Sequence, residues 1–243
     1  MKSLRTETAF EKTWLKTVLA NTKYEKEITH ALLDRWNVDD TYLTLYQNYR
    51  ITSQEFSLLC GERYLSDEIV NLLIQKYWDK KNQSKKVCHS ILLPSFLSSG
   101  CVLRNVVESI MLRCDMEIVD TMFLPVHMSD KCHWGLAIFS VKEQTICFDD
   151  GYHCPTPDNL RSNAIAIISI MYQTTRNERF QLAKWDKFER FKVAMPNQPH
   201  SNVRGATGHG SSCGVAVICA VRDICAGNTN FTWSYQDTPR LRC

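Results

Sequence analysis

The stretch "HWGLAIFSV" (133–141) limits the possible folds more than any other part of the sequence. Successive strand residues point to opposite faces, so a strand with one wet face alternates apolar and polar residues. Here both alternating sets are apolar, which demands a central strand covered on both sides. A tight turn at "KEQT" leads into "ICFDDGYH", completing a hairpin, and "TMFLPVHM" ahead of it is another short apolar run with Pro125 inside. Helical patterns surround these strands. In "GERYLSDEIVNLLIQKYW", Ser66 suits an N-cap and Asp67 and Glu68 suit the first turn, while Ile69, Leu72, Leu73 and Tyr77 fall on one face. "DNLRSNAIAIISIMYQTT" reads as a second helix, "KFERFKVAMP" as a charged strand-like stretch, and "YRITSQEFSLL" as a short strand and turn. Helices on both sides of a short antiparallel sheet make an α+β fold. Residues 1–46, with "EKTWLKTVLA" and "EITHALLDRW", read as a helical N-terminal extension without a chemical motif.

Composition narrows the function classes. A chain of 243 residues with 44% hydrophobic content can bury a sizeable core. A net charge of +3 gives no argument for a nucleic-acid partner. No apolar run approaches the roughly eighteen residues that span a bilayer, and "MKSLRTETAFEKTW" lacks the apolar core of a signal peptide. An intracellular protein, in the nucleus or cytoplasm and without a membrane partner, is expected. Its eleven cysteines then read as reduced thiols, mostly small core residues. There is no C-x-x-C, and Cys132–His133, Cys147 and His153–Cys154 lack paired zinc-ligand spacing, so no metal or cofactor is expected.

"NVRGATGHGSSCGVAVICAVRDICAG" places Cys213 between a glycine-rich loop and an apolar helix. A thiol is a nucleophile only as thiolate, and a helix N-terminus or a nearby imidazolium favours that anion. Gly208 and Gly210 permit a sharp turn, Ser211 and Ser212 are cap residues, and Gly214 leaves space above the sulfur. Local pattern alone favours a buried, incidental thiol. Among seven histidines, His133 stands out because it opens the doubly apolar strand, where its ring can face a cleft. Asp149 and Asp150 end the next strand, which the hairpin returns beside His133 within reach of the imidazole. Taken singly, "FDDG" is an ordinary acidic turn.

Together, the order His, Asp, Cys, with Trp134 after the His and the Cys within G-S-S-C-G (210–214), resembles the ubiquitin-like-protein proteases, the SUMO-specific (sentrin-specific) cysteine peptidases. "YLSDEIVNLL" is similar to that family's W-L-[ND]-D-E-[IV]-[IV]-N helix, "MFLPVHMSDKCHWGLAIFSV" to its strand pair, and "QDTPRLR" to its closing D-M-P-x-[LF]-R segment. The likeness covers about residues 49–243. It implies a papain-like cysteine protease fold for a catalytic domain over 47–243. The family continues into a last helix where this chain stops at Cys243, so a domain short of that helix is expected.

The resemblance also implies roles. Cys213 is the nucleophile, His133 its base, and Asp150, seventeen positions after His133, the orienting acid, with Asp149 as a substitute. The family's oxyanion glutamine is absent six positions before Cys213, where Thr207 stands. Gln198 fills the role if "PHSNVRGATG" (199–208) is an insertion. Tyr64, in place of the family's Trp, and Trp134 clamp a diglycine tail, and Asp67 pairs with an arginine of the modifier or only serves the helix start. The partner is SUMO or another ubiquitin-like protein, bound by a monomer. Two rivals remain: a weak or inactive module that binds a ubiquitin-like protein, and a processing protease of viral or transposon type.

Overall fold

Five strands form one sheet in the order β3 (Ser90–Leu92), β4 (Thr121–Met128), β5 (His133–Ser140), β6 (Thr145–Asp149) and β7 (Phe188–Glu189). The computed structural model describes residues 42–46, 49–52, 55, 57–59, 64–83, 90–100, 102–114, 116–176, 181, 185, 188–189, 194–198, 212–228, 230–237 and 241. β4, β5 and β6 are antiparallel, whereas β3 joins β4 and β7 joins β6 in parallel, so the sheet is mixed.

The doubly apolar strands separate two cores. Met122, Leu124, Val126, Ala137, Phe139, Ile146 and Phe148 face one layer, with Val107 and Met111 of α3 (Arg104–Met111) and the buried side of α4 (Asp158–Met171). The short α2 (Phe96–Ser99) joins that layer through Leu97. Phe123, Trp134 and Leu136 face the other, made by α1 (Asp67–Gln83) and α5 (Cys213–Ala226). Adjacent residues of one strand thus serve opposite layers.

α5 is buried on every side from Cys213 to Val221, as expected of a helix that is apolar all round. It ends at Gly227 (φ 74°), whose N–H donates to the Ile224 carbonyl while Asn228 N–H donates to that of Asp223, a Schellman closure. The buried Asp223 carboxylate then accepts from the Thr232 N–H (2.6 Å) and its hydroxyl, which folds the segment holding Trp233 and Tyr235 back onto the core.

Three expectations need correction. Tyr42–Tyr46 is strand β1, antiparallel to β2 (Tyr49–Thr52), so the boundary at 46 cuts a hairpin. "YLTLY" is built from strand-prone residue types, which outweighs its mixed polarity; the helices read over 1–41 lie outside the described residues. In α1 the first turns are buried nearly all round through Ile69, Val70, Asn71, Leu72 and Ile74, but Tyr77 is exposed where the helix leaves the core. Ser66 Oγ does accept from Ile69 N–H, at 3.4 Å. Ser212 precedes α5 without a side-chain cap bond, because its backbone is already near-helical (φ −85°, ψ −6°) and its hydroxyl cannot turn back as a cap does.

Candidate active site

His133 is the first residue of β5, reached through a 3-10 turn at Ser129–Lys131 and a left-handed Cys132 (φ 46°). Its ring is buried. Nε2 lies 2.8 Å from the Asp150 carbonyl oxygen and 3.8 Å from Asp150 Oδ2. Burial pulls the imidazole below its ordinary value of 6.5, against the carbonyl and carboxylate of Asp150, which favour the charged ring.

The two adjacent aspartates have separate tasks. Asp150 Oδ1 accepts from the N–H groups of Tyr152 (3.0 Å) and Cys154 (3.1 Å), leaving Oδ2 on the His133 side. Asp149 is turned the other way. Its Oδ1 accepts from Gly151 N–H (2.9 Å) and from the His153 ring (3.0 Å), and its Oδ2 accepts from Met195 N–H (2.9 Å). Asp149 is therefore held in turn and loop contacts and is not poised as a substitute for Asp150.

Cys213 begins α5 and is buried. The first N–H groups of a helix have no partner within it, so the thiol sits at the positive end of the helix. Gly214 packs directly on Leu65, where a Cβ would come within 3.2 Å of Leu65 Cβ. The Leu65 carbonyl in turn accepts the Trp134 indole N–H at 3.1 Å. The starts of α1, α5 and β5 are thereby drawn to one place. Tyr152 marks the same convergence: its ring stacks on His133 (centroids 4.7 Å, 26° between planes), and its phenol is within electrostatic range of Cys213, Tyr64 and Asp150. Burial first, and then the acidic groups around it, push the phenol up. By contrast Cys219, two turns into α5, is a core thiol pushed up to about 12 by burial.

The remaining candidates are placed as follows. Gln198 is buried, and its N–H donates to the Gly151 carbonyl at 2.9 Å, which docks it on the turn carrying Asp150. The proposed insertion over 199–208 lies outside the described residues. Tyr64 is half exposed (51%), next to Leu65. Trp134 is not open to a ligand in this state: it is buried beneath, 4.7 Å from the His127 ring. Asp67 Oδ2 accepts from Ser95 Oγ (3.2 Å), and Asn71 ties to the same serine, so the carboxylate joins α1 to the start of α2. Sequence reasoning missed Tyr152 and the Asp149–His153 pair; the signal available was a polar-aromatic cluster, "DDGYH", directly after the hairpin. Among the described residues no group of three or more His, Cys, Asp or Glu could hold a metal ion, and no helix is long and apolar enough to cross a membrane.

Comparison with known proteins agrees with the motif resemblance. Over 224 residues, 91% of its length, the chain is 25% identical to Ubiquitin-like-specific protease 1 of Saccharomyces cerevisiae, of which it spans 32%. Over 129 residues, 51% of its length, it is 26% identical to a sentrin-specific protease of Caenorhabditis elegans, spanning 18% of that protein. The chain thus spans a third or less of the length of these relatives. Among solved structures, it matches the C-terminal Ulp1 protease domain in complex with Smt3, the yeast orthologue of SUMO. That match has a TM-score of 0.65 and 22% identity, with 91% of both chains covered. The Ulp1-like SUMO protease catalytic domain of Chaetomium thermophilum matches with a TM-score of 0.60 and 17% identity over 89% of this chain and 85% of that one. No family model matches the sequence. In sequence over most of its length the chain is similar to Ubiquitin-like-specific protease 1, over about half of it to a sentrin-specific protease, and in fold to the Ulp1 protease domain.

Proposed function

We propose that the protein is a cysteine peptidase that cleaves the peptide or isopeptide bond following the C-terminal Gly-Gly of a ubiquitin-like modifier, SUMO first. The observation that carries this reading is the double approach of Asp150 to His133 Nε2, beside a helix that begins with Cys213. With Nε2 committed to Asp150, Nδ1 is the nitrogen left to handle the thiol proton.

His133 Nδ1 takes the Sγ proton, and the thiolate attacks the carbonyl carbon of the terminal glycine. The tetrahedral oxyanion is stabilised by the Cys213 N–H and the Gln198 side chain. His133 then gives its proton to the leaving amine, and the C–N bond breaks. Water, deprotonated by the same ring, hydrolyses the thioester and restores the thiol. Asp150 orients the imidazole and offsets its charge throughout. Tyr64 lines the approach of the diglycine tail. Trp134 reaches the tail only if the Leu65–Trp134 contact opens.

The test is incubation with SUMO carrying a C-terminal vinyl sulfone, followed by intact mass measurement. A single covalent adduct is expected on the wild type and none on Cys213→Ala. Absence of any adduct, or an adduct that persists in Cys213→Ala, defeats the proposal. Tight binding of SUMO without an adduct would instead support a binding-only module.

A further inference from the structure

Asp149 is buried and His153 part-buried, and the triad chemistry uses neither; of their hydrogen bonds two close the turn after β6 on itself and two, to Met195 and Asn197, tie it to the segment carrying Gln198. Asp149 Oδ1 holds Gly151 N–H and His153 Nδ1, and Asp149 Oδ2 holds Met195 N–H. The other ring nitrogen of His153, Nε2, meets Asn197 Oδ1, the residue just before Gln198. The Gly151 carbonyl then receives the Gln198 N–H. The segment 195–198 is thus fastened at Met195, Asn197 and Gln198 to the turn that carries Asp150, which contacts His133.

The backbone is shaped for this. Gly151 (φ 74°) and His153 (φ 56°) are both left-handed, which curls the turn so that the residue-153 ring returns to the residue-149 carboxylate. A left-handed histidine costs about 1–2 kcal/mol and persists only where its surroundings hold it. A carboxylate only accepts, so Nδ1 carries a proton toward Asp149. Nε2 then meets the Asn197 side-chain amide, which offers an oxygen or, flipped, an N–H.

From this we infer that His153, braced by Asp149, is a positioning residue: it sets Gln198 against the reacting carbonyl by clasping Asn197. The inference rests on the proposed peptidase reading, in which Gln198 serves the oxyanion. Placement of such a donor decides its effect, because misplacement by about 1 Å can cost on the order of a hundredfold.

The test combines His153→Ala and Asn197→Ala, each alone and with Gln198→Ala, using a SUMO C-terminal coumarin amide as probe. Asn197 is exposed, so its truncation leaves the core untouched. Each single variant should lower kcat by roughly 10- to 100-fold with KM within about twofold, and neither should add more than about twofold in the Gln198→Ala background. Wild-type kcat in either variant, or losses that multiply with Gln198→Ala, would overturn the inference. Amide hydrogen exchange gives a readout free of turnover: the Met195 and Gln198 N–H groups should exchange at least about tenfold faster in both variants. Unchanged exchange overturns the clasp even if the protein proves inactive on SUMO, whereas lost protection with no activity in any variant faults the peptidase reading alone.

Discussion

Asp150 meets His133 Nε2 with its main chain at 2.8 Å and with its side chain, through Oδ2, at 3.8 Å. That Oδ2 is buried and has no hydrogen-bond partner among the described residues, while Oδ1 is held by two backbone N–H groups. A buried carboxylate oxygen left in this way costs about 1–3 kcal/mol. Closure of the pair around a charged imidazole would relieve that cost, and this attraction works against the burial that holds His133 below its ordinary value.

Asp150→Asn keeps the shape and removes the charge. Loss of an orienting triad aspartate costs on the order of 10²–10⁴-fold in kcat, and the lower part of that range is expected because the Asp150 carbonyl still holds Nε2. The Asp150 charge raises the His133 pKa, so its removal should also move the acid limb of kcat/KM to lower pH. A limb that stays in place or rises would contradict the assignment of Asp150 as the partner of His133.

Stability should depend on pH through His133 with a definite sign. Burial lowers the folded-state pKa below the ordinary value of 6.5, so between the two values the unfolded chain binds more protons. Stability then falls as pH drops through 6.5 toward the folded value, and the term is constant above and below that window. Urea unfolding at a series of pH values should show this slope in wild type and a shallower one in His133→Gln. Parallel curves for the two proteins would rule the term out.

Tyr152 shields one face of the imidazole and fixes its plane. A ring pair of this kind is worth about 0.5–1.5 kcal/mol, so Tyr152→Ala should lower kcat roughly 2- to 10-fold. Tyr152→Phe keeps the stacked ring and should stay near wild type. Equal losses in the two variants would show that the hydroxyl, and not the stacking, matters.

How much of this was legible depended on whether chemistry or packing carried the signal. The double apolarity of "HWGLAIFSV" implied a strand between two layers, and those layers are the cores on either side of Phe123 and Leu124. The return of the hairpin's end, with Asp149 and Asp150, to the side of His133 could also be read directly. Residues 90–111 were not assigned: β3 and α2 are too short to develop a period, and α3 shows one over only two turns, with Val107 and Met111 four apart on the face that the sheet covers. The resemblance implied that Trp134 clamps a diglycine tail, but strand alternation turns it away from His133 into the α1–α5 layer, where the Leu65 carbonyl takes its N–H. The residues alone left Asp149 and Asp150 both open and only the resemblance preferred Asp150, since the curled turn after β6 decides which carboxylate faces which way.

That turn also fixes what Gly151 can be. At φ 74° any side chain costs about 1–2 kcal/mol, and a Cβ would collide with the Tyr235 hydroxyl. Tyr235 cannot easily withdraw: it is buried in the segment anchored by Asp223, edge-on to Trp233 with centroids 5.3 Å apart. Gly151→Ala should therefore destabilise the protein by about 2–5 kcal/mol, the backbone and overpacking costs together. In a Tyr235→Phe background the colliding oxygen is gone and the ring carbon nearest the new Cβ is 3.4 Å away, so only the backbone part should remain. Denaturant unfolding of the four proteins in this cycle should give a coupling of about 1–3 kcal/mol, and additive losses would mean that the turn and Tyr235 are not in contact.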